Sequence, residues 1–245
     1  MITQEEKVSR LLFGILTLAF LLLPALSKAA DKPLPSTSSS NNFVPEEAHA
    51  RARRAEKAFE AGNLKEAESL YRESLEFAPD NPQISVSLAA VETRMGKLGE
   101  SERLLQRTLR LDLKNSAAWL LLGMNYLDEK QNEEAFAALV QAALLDDRNP
   151  RAHNYLGIAA GRKGWIEASE QELRRAIELD SNYADPNFNL AVLYLRRTPP
   201  LTELAHRHYQ QALDLGAPKD PVIEAILLKA VASPASPPST SSALP

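Results

Sequence analysis

Residues 116–149 read SAAWLLLGMNYLDEKQNEEAFAALVQAALLDDRN, and residues 150–183, a stretch of equal length, read PRAHNYLGIAAGRKGWIEASEQELRRAIELDSNY. Both carry Leu-Gly at the seventh and eighth residues and a small residue at the twentieth. The same spacing extends outward to five consecutive units, which are 48–81, 82–115, 116–149, 150–183 and 184–219. A repeat of this length predicts a stack of similar units that each contact only their neighbours.

Each unit has small residues at three fixed positions and a large residue at a fourth. The eighth residues are Ala55, Ala89, Gly123, Gly157 and Ala191. The twentieth are Ala67, Ser101, Ala135, Ser169 and, after a two-residue insertion, Ala205, and the twenty-seventh are Ser74, Thr108, Ala142, Ala176 and Ala212. The large residues, four after the twentieth, are Tyr71, Leu105, Leu139, Leu173 and Tyr209. Two helices approach closely only where the facing side chains are small, so the pattern predicts paired helices.

The helices are also predicted from periodicity alone. Apolar and small residues recur at spacings of three and four in the stripe Leu64, Ala67, Leu70, Tyr71, Ser74 and Leu75. Glycines stand where a first helix should end, as a left-handed helix cap requires; they are Gly62, Gly96 and Gly164. No stretch alternates with a period of two, so strands are not expected.

The spacing closely resembles that of the tetratricopeptide repeat family. The third unit carries the fullest signature, with Leu139 where the family usually has an aromatic residue; the matching residues are Trp119, Leu122, Gly123, Tyr126 and Ala135. The resemblance implies an all-α fold, a right-handed α-solenoid of about five helix-turn-helix units plus a C-terminal capping helix at 220–232. It also implies a binding scaffold, whose partners differ from one member to the next.

Two units depart from the family pattern. The first has Arg51 and Arg54 where the family packs large apolar residues, which suits a terminal unit with no neighbour on one side. The fifth carries Thr198-Pro199-Pro200 in its inter-helix turn, which is two residues longer than the others. Loops tolerate such insertions at little cost.

Composition excludes several kinds of chemistry. The 245 residues include no cysteine, which excludes disulfides and thiolate catalysis. A net charge of −4 argues against nonspecific nucleic-acid binding. His206 and His208 are two residues apart and point to different faces of a helix, a poor metal-ligand spacing. We therefore expect no enzyme activity, catalytic residue, metal, cofactor, small-molecule substrate or nucleic-acid partner.

The N-terminal segment predicts export. Leu11–Leu26 is largely apolar, follows Lys7 and Arg10, and precedes a small-x-small sequence that ends at Ala29. Residues 1–29 are therefore predicted to be a secretory signal peptide, with an uncleaved inner-membrane anchor or a plain buried helix as alternatives. In either of the first two cases the repeats face a periplasmic or other extracytoplasmic compartment, and the architecture suggests a bacterial source.

Two segments outside the repeats are predicted to be disordered. Residues 30–47 are rich in proline and serine and form the predicted linker, and 233–245 have the same character. Between the last unit and this tail, Val222, Ile223, Ile226 and Leu227 of the capping helix would cover the exposed end of the stack.

The family resemblance also implies where a partner binds. First helices line a concave groove, and ten residues carry over to its exposed positions: Val86, Ala90, Leu120, Met124, Leu127, Asn154, Ile158, Phe188, Val192 and Leu195. Four arginines would form the rim of the groove and could pair with an acidic partner: Arg94, Arg151, Arg162 and Arg196. A large exposed apolar patch usually marks a partner site. The alternative is that these residues pack against neighbouring helices.

Three functions fit these features. The leading hypothesis is a scaffold for another envelope protein, in pilus, secretion-machine, outer-membrane or polysaccharide-export assembly. A periplasmic chaperone for unfolded clients would use the same apolar groove. A self-associating structural protein would use the fifth unit and the last helix as its contact.

Overall fold

The computed structural model describes residues 45–232. The predicted signal peptide at 1–29, most of the linker at 30–47 and the tail at 233–245 lie outside these residues. Within this range the chain is all-helical, with no strand. The helices are α1 (Glu46–Glu60), α2 (Leu64–Phe77), α3 (Pro82–Arg94), α4 (Leu98–Leu111), α5 (Ser116–Asp128), α6 (Asn132–Leu145), α7 (Pro150–Arg162), α8 (Ile166–Leu179), α9 (Ala184–Leu195), α10 (Thr202–Asp214) and α11 (Pro221–Ala232).

The first ten helices form five hairpins, one for each sequence unit. A short turn joins the two helices of a unit, and a residue with positive φ reverses the chain in most of these turns. Gly96 serves this purpose with φ 76° in the second unit, whereas Lys130 does so with φ 63° in the third. The longer turn of the fifth unit contains a cis peptide bond between Thr198 and Pro199.

Asparagine side chains cap the N-terminus of the first helix in three of the units. Asn81, Asn115 and Asn149 accept hydrogen bonds from backbone N–H groups of α3, α5 and α7, at 3.0 Å from Ile84 and 2.9 Å from Ala118 in the first two cases. Such caps satisfy donors that have no partner inside the helix. The first helix, α1, begins at Glu46, two residues before the predicted start of the first unit at Ala48. Two acidic residues lie in its first turn, where the helix dipole favours them.

Small residues allow the two helices of each unit to touch. All residues at the eighth, twentieth and twenty-seventh positions are buried, as are the large residues four after the twentieth. Serines add hydrogen bonds across the contact: the hydroxyls of Ser101 and Ser169 donate to the carbonyls of Ala89 and Gly157, at 3.0 and 2.7 Å. The repeating small residues are therefore the contact points that the sequence predicts.

Successive hairpins stack into a solenoid. Each second helix packs against the first helix of the following unit. The first helices α3, α5, α7 and α9 also contact one another in order, more extensively than the second helices do. Helices that touch from unit to unit lie on the inner side of a curved stack, so we call the face formed by α3, α5, α7 and α9 the concave surface.

The last helix closes the core at the C-terminal end. Ile223 and Leu227 of α11 are buried in the same cluster as Phe188 and Tyr209 of the fifth unit. Ile226 packs at the edge of that cluster. Among residues 45–232, no helix is long and apolar enough to cross a membrane.

Candidate protein-binding surface

Six of the ten predicted groove residues are buried, which corrects the expectation that they are exposed. These six are Leu120, Leu127, Asn154, Ile158, Phe188 and Leu195, all between 1% and 7% exposed. Leu120 and Ile158, from adjacent first helices, share one core cluster. Phe188 and Leu195 lie in the cluster that α11 completes. Neighbouring units thus cover these positions, as the alternative of packing against other helices predicts.

Four predicted groove residues keep part of their surface exposed. Val86, Ala90 and Met124 pack at the edge of one core cluster, between the second and third units. We call these three residues the apolar patch. Val192 lies separately, at the edge of the C-terminal cluster. Whether any of the four contacts a partner stays a prediction, but of the ten predicted groove residues only these four keep apolar surface that a partner could contact.

The predicted rim arginines differ in their surroundings. The Arg94 guanidinium lies 5.1 Å from the centre of the Phe59 ring. Arg162 donates a hydrogen bond to the backbone carbonyl of Leu127. Arg151 interacts electrostatically with Tyr155 and with Asp185, whose pKa is raised by burial. The side chain of Arg196 makes no hydrogen bond or ion pair with any group in residues 45–232.

A buried polar chain links the fourth and fifth units under the concave surface. The Asn189 amide donates to the side-chain oxygen of Asn154 at 2.9 Å, and the Asn154 amide donates to the Tyr183 hydroxyl at 3.2 Å. Burial raises the pKa of the Tyr183 hydroxyl well above its usual value, so it stays protonated. Asn154, predicted to contact a partner, therefore holds two units together instead.

Sequence reasoning missed an ionic network between the first two units. Arg72 donates to carboxylates of Glu68, Glu92 and Glu100 at 3.0, 2.8 and 2.9 Å, and Lys97 donates to Glu68 at 2.7 Å. The three carboxylates lie within 4.8 Å of one another, a distance suited to a metal ion, but the Arg72 guanidinium is the cation that contacts all three. Glu92 gives a signal in the sequence, because this charged residue directly follows Val91 and lies one helical turn after Leu88, on the buried side of α3.

Comparisons of sequence support the repeat assignment. Sequence models described as tetratricopeptide repeat match residues 58–124, residues 22–82, and the stretches 116–149 and 150–183. The BBSome complex member bbs-4 of Caenorhabditis elegans is 27% identical over 135 residues, which cover 55% of this chain and 29% of that protein. The chain aligns with less than a third of the length of the curated relatives it matches.

Solved structures show the same fold. PilF of Pseudomonas aeruginosa superposes with a TM-score of 0.66 at 18% identity, covering 76% of this chain and 85% of that one. YrrB, described as a tetratricopeptide repeat protein with an unusual peptide-binding site, superposes with a TM-score of 0.55 at 19% identity, covering 76% and 92% of the two chains. The repeat models, which together cover residues 22–183, and the five helical pairs held by buried small residues show that the chain belongs to the tetratricopeptide repeat family.

Proposed function

We propose that this chain is a non-catalytic scaffold of the bacterial cell envelope that binds a segment of another protein on its concave surface. Tetratricopeptide repeat proteins generally bind proteins or peptides and are generally not enzymes. YrrB, which has a similar fold, is described as having a peptide-binding site. The observation that carries the proposal is the apolar patch, where Val86, Ala90 and Met124 keep exposed surface on adjacent first helices.

The apolar patch is small, so the partner makes further contacts along the concave surface. Val192 and Arg196 of the fifth unit lie at the other end of that surface, keep part of their own surface exposed and extend the site to the last repeat. A segment that spans from the patch to Arg196 would combine apolar contacts with charge complementarity, which adds specificity. An extended or helical segment of another protein fits this elongated site better than a small molecule does.

Export is part of the proposal and rests on residues 1–29. Their apolar stretch, preceding basic residues and small-x-small sequence are typical of a secretory signal peptide. Mass spectrometry of the protein from fractionated cells tests this point: a mature N-terminus at Ala30 in the periplasmic fraction supports export, and an intact N-terminus in a cytoplasmic fraction overturns it.

A crosslinking pull-down from native cells tests partner binding, with a tag inserted between Ser36 and Ser40. We expect Met124→Glu to abolish capture of the main partner because it places a charge in the apolar patch. Leu144→Glu is the matched control, since Leu144 is 72% exposed on a second helix away from the concave surface. Leu120→Glu is unsuitable because Leu120 is only 2% exposed and its substitution would unfold the unit.

Comparison of the two variants decides the outcome. Loss with Met124→Glu and retention with Leu144→Glu, both with unchanged circular dichroism, supports the concave surface as the binding site. Equal retention by both variants overturns it.

Self-association is a second candidate function, and α11 is the observation that favours it. Asp220 caps α11 by accepting from the N–H groups of Val222 and Ile223 at 2.8 and 3.1 Å, much as Asn149 caps α7. The eighth residue of α11 is therefore Leu228, at the position that is small and covered by a second helix in every complete unit. Here it is 71% exposed.

We propose a second copy of the chain as the occupant of this face. Ala225 is exposed one turn before Leu228 on the same stripe, so an antiparallel copy of α11 can place each Leu228 over a small residue of the other. The opposite end of the stack carries exposed Arg53 and Arg54 on α1, and every exposed side chain of this helix in the described part of the chain is polar or charged. This favours an isologous contact between two C-terminal ends.

Analytical ultracentrifugation tests this contact. We expect Leu228→Lys to shift the protein to monomer, whereas Leu144→Lys, at a side chain of nearly equal exposure, leaves the association unchanged. A wild-type protein that is monomeric at high concentration contradicts self-association.

A further inference from the structure

Charged residues occupy the thirteenth position of every unit, near the end of each first helix. The five are Glu60, Arg94, Asp128, Arg162 and Arg196. Their signs alternate along the stack until the last step, where two arginines follow each other. Like charges at neighbouring positions repel, so the end of this row carries a positive charge that the row itself does not balance.

The earlier arginines of the row have partners within the protein. Arg94 lies over the Phe59 ring at 5.1 Å, a favourable cation–π contact. Arg162 donates to the Leu127 carbonyl and is attracted by the charge of Asp128 in the adjacent unit. These contacts place both guanidinium groups in a defined position beside the concave surface.

Arg196 differs from both. Only its backbone N–H is used, in hydrogen bonds to carbonyls of Val192 and Leu193 at the end of α9. Its side chain has no hydrogen-bond or ionic partner within residues 45–232, although it is half-buried. Burial lowers the pKa of its guanidinium, and the charge of Arg162 lies close enough for the two groups to repel.

Half-burying the charged guanidinium of Arg196 beside Arg162 costs free energy, and the carbonyl groups at the C-terminus of α9 offset this cost only in part. Carbonyl groups at a helix C-terminus carry about half a negative charge, which favours a cation there. They leave the five guanidinium N–H donors without acceptors. A carboxylate matches the planar donor fork of arginine with two parallel hydrogen bonds, and such charge-assisted bonds are stronger than neutral ones.

We propose that Arg196, with Arg162 beside it, binds a carboxylate of the partner segment at the C-terminal end of the concave surface. In the row of alternating charges, an acidic group would be expected next to Arg162, and the partner's carboxylate supplies this negative charge beside Arg196. It comes from an Asp or Glu side chain or from the free C-terminus of the partner. This assignment rests on the proposed function and adds the chemistry of one contact.

Selection from random twelve-residue peptide libraries tests the assignment with the full-length protein. One library is fused at its C-terminal end, so only side-chain carboxylates are present, and the other ends in a free carboxylate. We expect wild-type protein to select peptides with an acidic group at one recurring position. Enrichment from the first library identifies a side chain as the source, and enrichment confined to the second identifies the C-terminus.

Three variants define the role of Arg196. Synthetic peptides selected by the wild type should bind Arg196→Gln at least about tenfold more weakly, because a charge-assisted pair is lost. Arg196→Glu should instead select Lys or Arg at the same position. Arg175→Gln is the control, because Arg175 is exposed on α8 and pairs only with Glu178 within the described residues. This variant should bind the selected peptides with the same affinity as the wild type.

The outcomes separate this proposal from the proposed function. Selected peptides without a recurring acidic group, or equal affinity for wild type and Arg196→Gln, overturn the carboxylate site but leave peptide binding intact. If wild-type protein enriches no peptide from either library, both proposals are overturned. Unchanged thermal unfolding of Arg196→Gln confirms that the variant is folded.

Discussion

Leu139 of α6 lies directly against Gly123 of α5: a Cβ atom built on Gly123 would stand 2.5 Å from Leu139 Cγ. The fourth unit repeats the arrangement, with 2.8 Å between a Cβ on Gly157 and Leu173 Cγ. Real Cβ atoms do not come this close to a carbon, so a larger residue at either position forces the two helices apart. The glycines set the separation of the helices in these two units.

We expect Gly123→Ala to destabilise the protein for this reason. Overpacking costs about 1–3 kcal/mol, and the higher helix propensity of alanine returns about 1 kcal/mol, so a net loss of about 1 kcal/mol remains. Urea unfolding followed by circular dichroism measures it. Gly99→Ala is the control, because no atom lies within 4 Å of its Cβ position in α4. It should leave stability unchanged or raise it, and an equally stable Gly123→Ala would contradict the close contact.

Removal of Arg72 should expose the cost of burying Glu92. Glu92 is 2% exposed, and one of its carboxylate oxygens has no hydrogen-bond partner within the described residues. Arg72→Met would leave this charge without its guanidinium and cost about 2 kcal/mol, below the usual range for buried pairs because Arg72 is half-exposed. The double variant Arg72→Met/Glu92→Leu should recover most of the loss, and urea unfolding of the single and double variants tests this.

The same pair predicts a pH dependence. Burial raises the pKa of the Glu92 carboxyl in the folded protein above its value in the unfolded chain. Folding therefore disfavours the ionised form of Glu92. The ionised carboxylate lowers the stability of the fold at pH values above the folded-state pKa, and this loss disappears as acid protonates the group. The deficit of Arg72→Met should shrink as the pH falls from 7 towards about 4.5, the usual range of a Glu pKa. A constant deficit across this range would show that the loss comes from packing.

His153 should contribute more stability in acid than in base. Its Nδ1 lies 2.7 Å from a Glu172 carboxylate oxygen, and its Nε2 lies 3.0 Å from the Asp147 carbonyl. The bond to Glu172, with the backbone carbonyl, raises the pKa of His153 above its usual value. Protonated His153 therefore favours folding below about pH 6.5, and this stability is lost as the pH rises through the folded-state pKa.

Unfolding free energies at pH 5.5 and 8.5 check the histidine prediction. His153→Gln should lose more stability at pH 5.5 than at pH 8.5, because only the protonated ring gains from the Glu172 carboxylate. An equal loss at both values would mean that neutral His153 makes the same contribution.

Asn154→Ala should weaken the contact between the fourth and fifth units. It removes the acceptor of the Asn189 amide and the donor to the Tyr183 hydroxyl, both inside the protein. A buried polar group left without a partner costs about 1–3 kcal/mol. Hydrogen exchange of α9 amides should rise together with the loss of stability. Tyr183→Phe, which removes one hydroxyl, should cost less, and an Asn154→Ala protein of wild-type stability would contradict the structural role.

Periodicity in the sequence was sufficient to predict the helices and to predict which two helices pair within each unit. The small residues at the eighth, twentieth and twenty-seventh positions predict where helices touch, and all of them are buried. Helical spacing places a residue on a given face, and a side chain that must be small identifies the contact point on that face. The helical spacing and the small residues both involve residues that are close in sequence, so both can be recognised from the amino-acid sequence alone. The export signal at 1–29 is equally local and stays a prediction.

Only the tertiary structure decided which faces remain open. Leu120 and Phe188 have the spacing of groove residues, yet the neighbouring unit and α11 cover them. Arg72 and Glu92 are twenty residues apart, and no helical period relates them. Arg196 occupies the same unit position as Arg94 and Arg162, but it alone lacks a partner in residues 45–232. Burial and charge pairing depend on contacts between units. A repeat pattern specifies the position of a residue within its own unit, but it does not specify which residues of the adjacent units contact that residue.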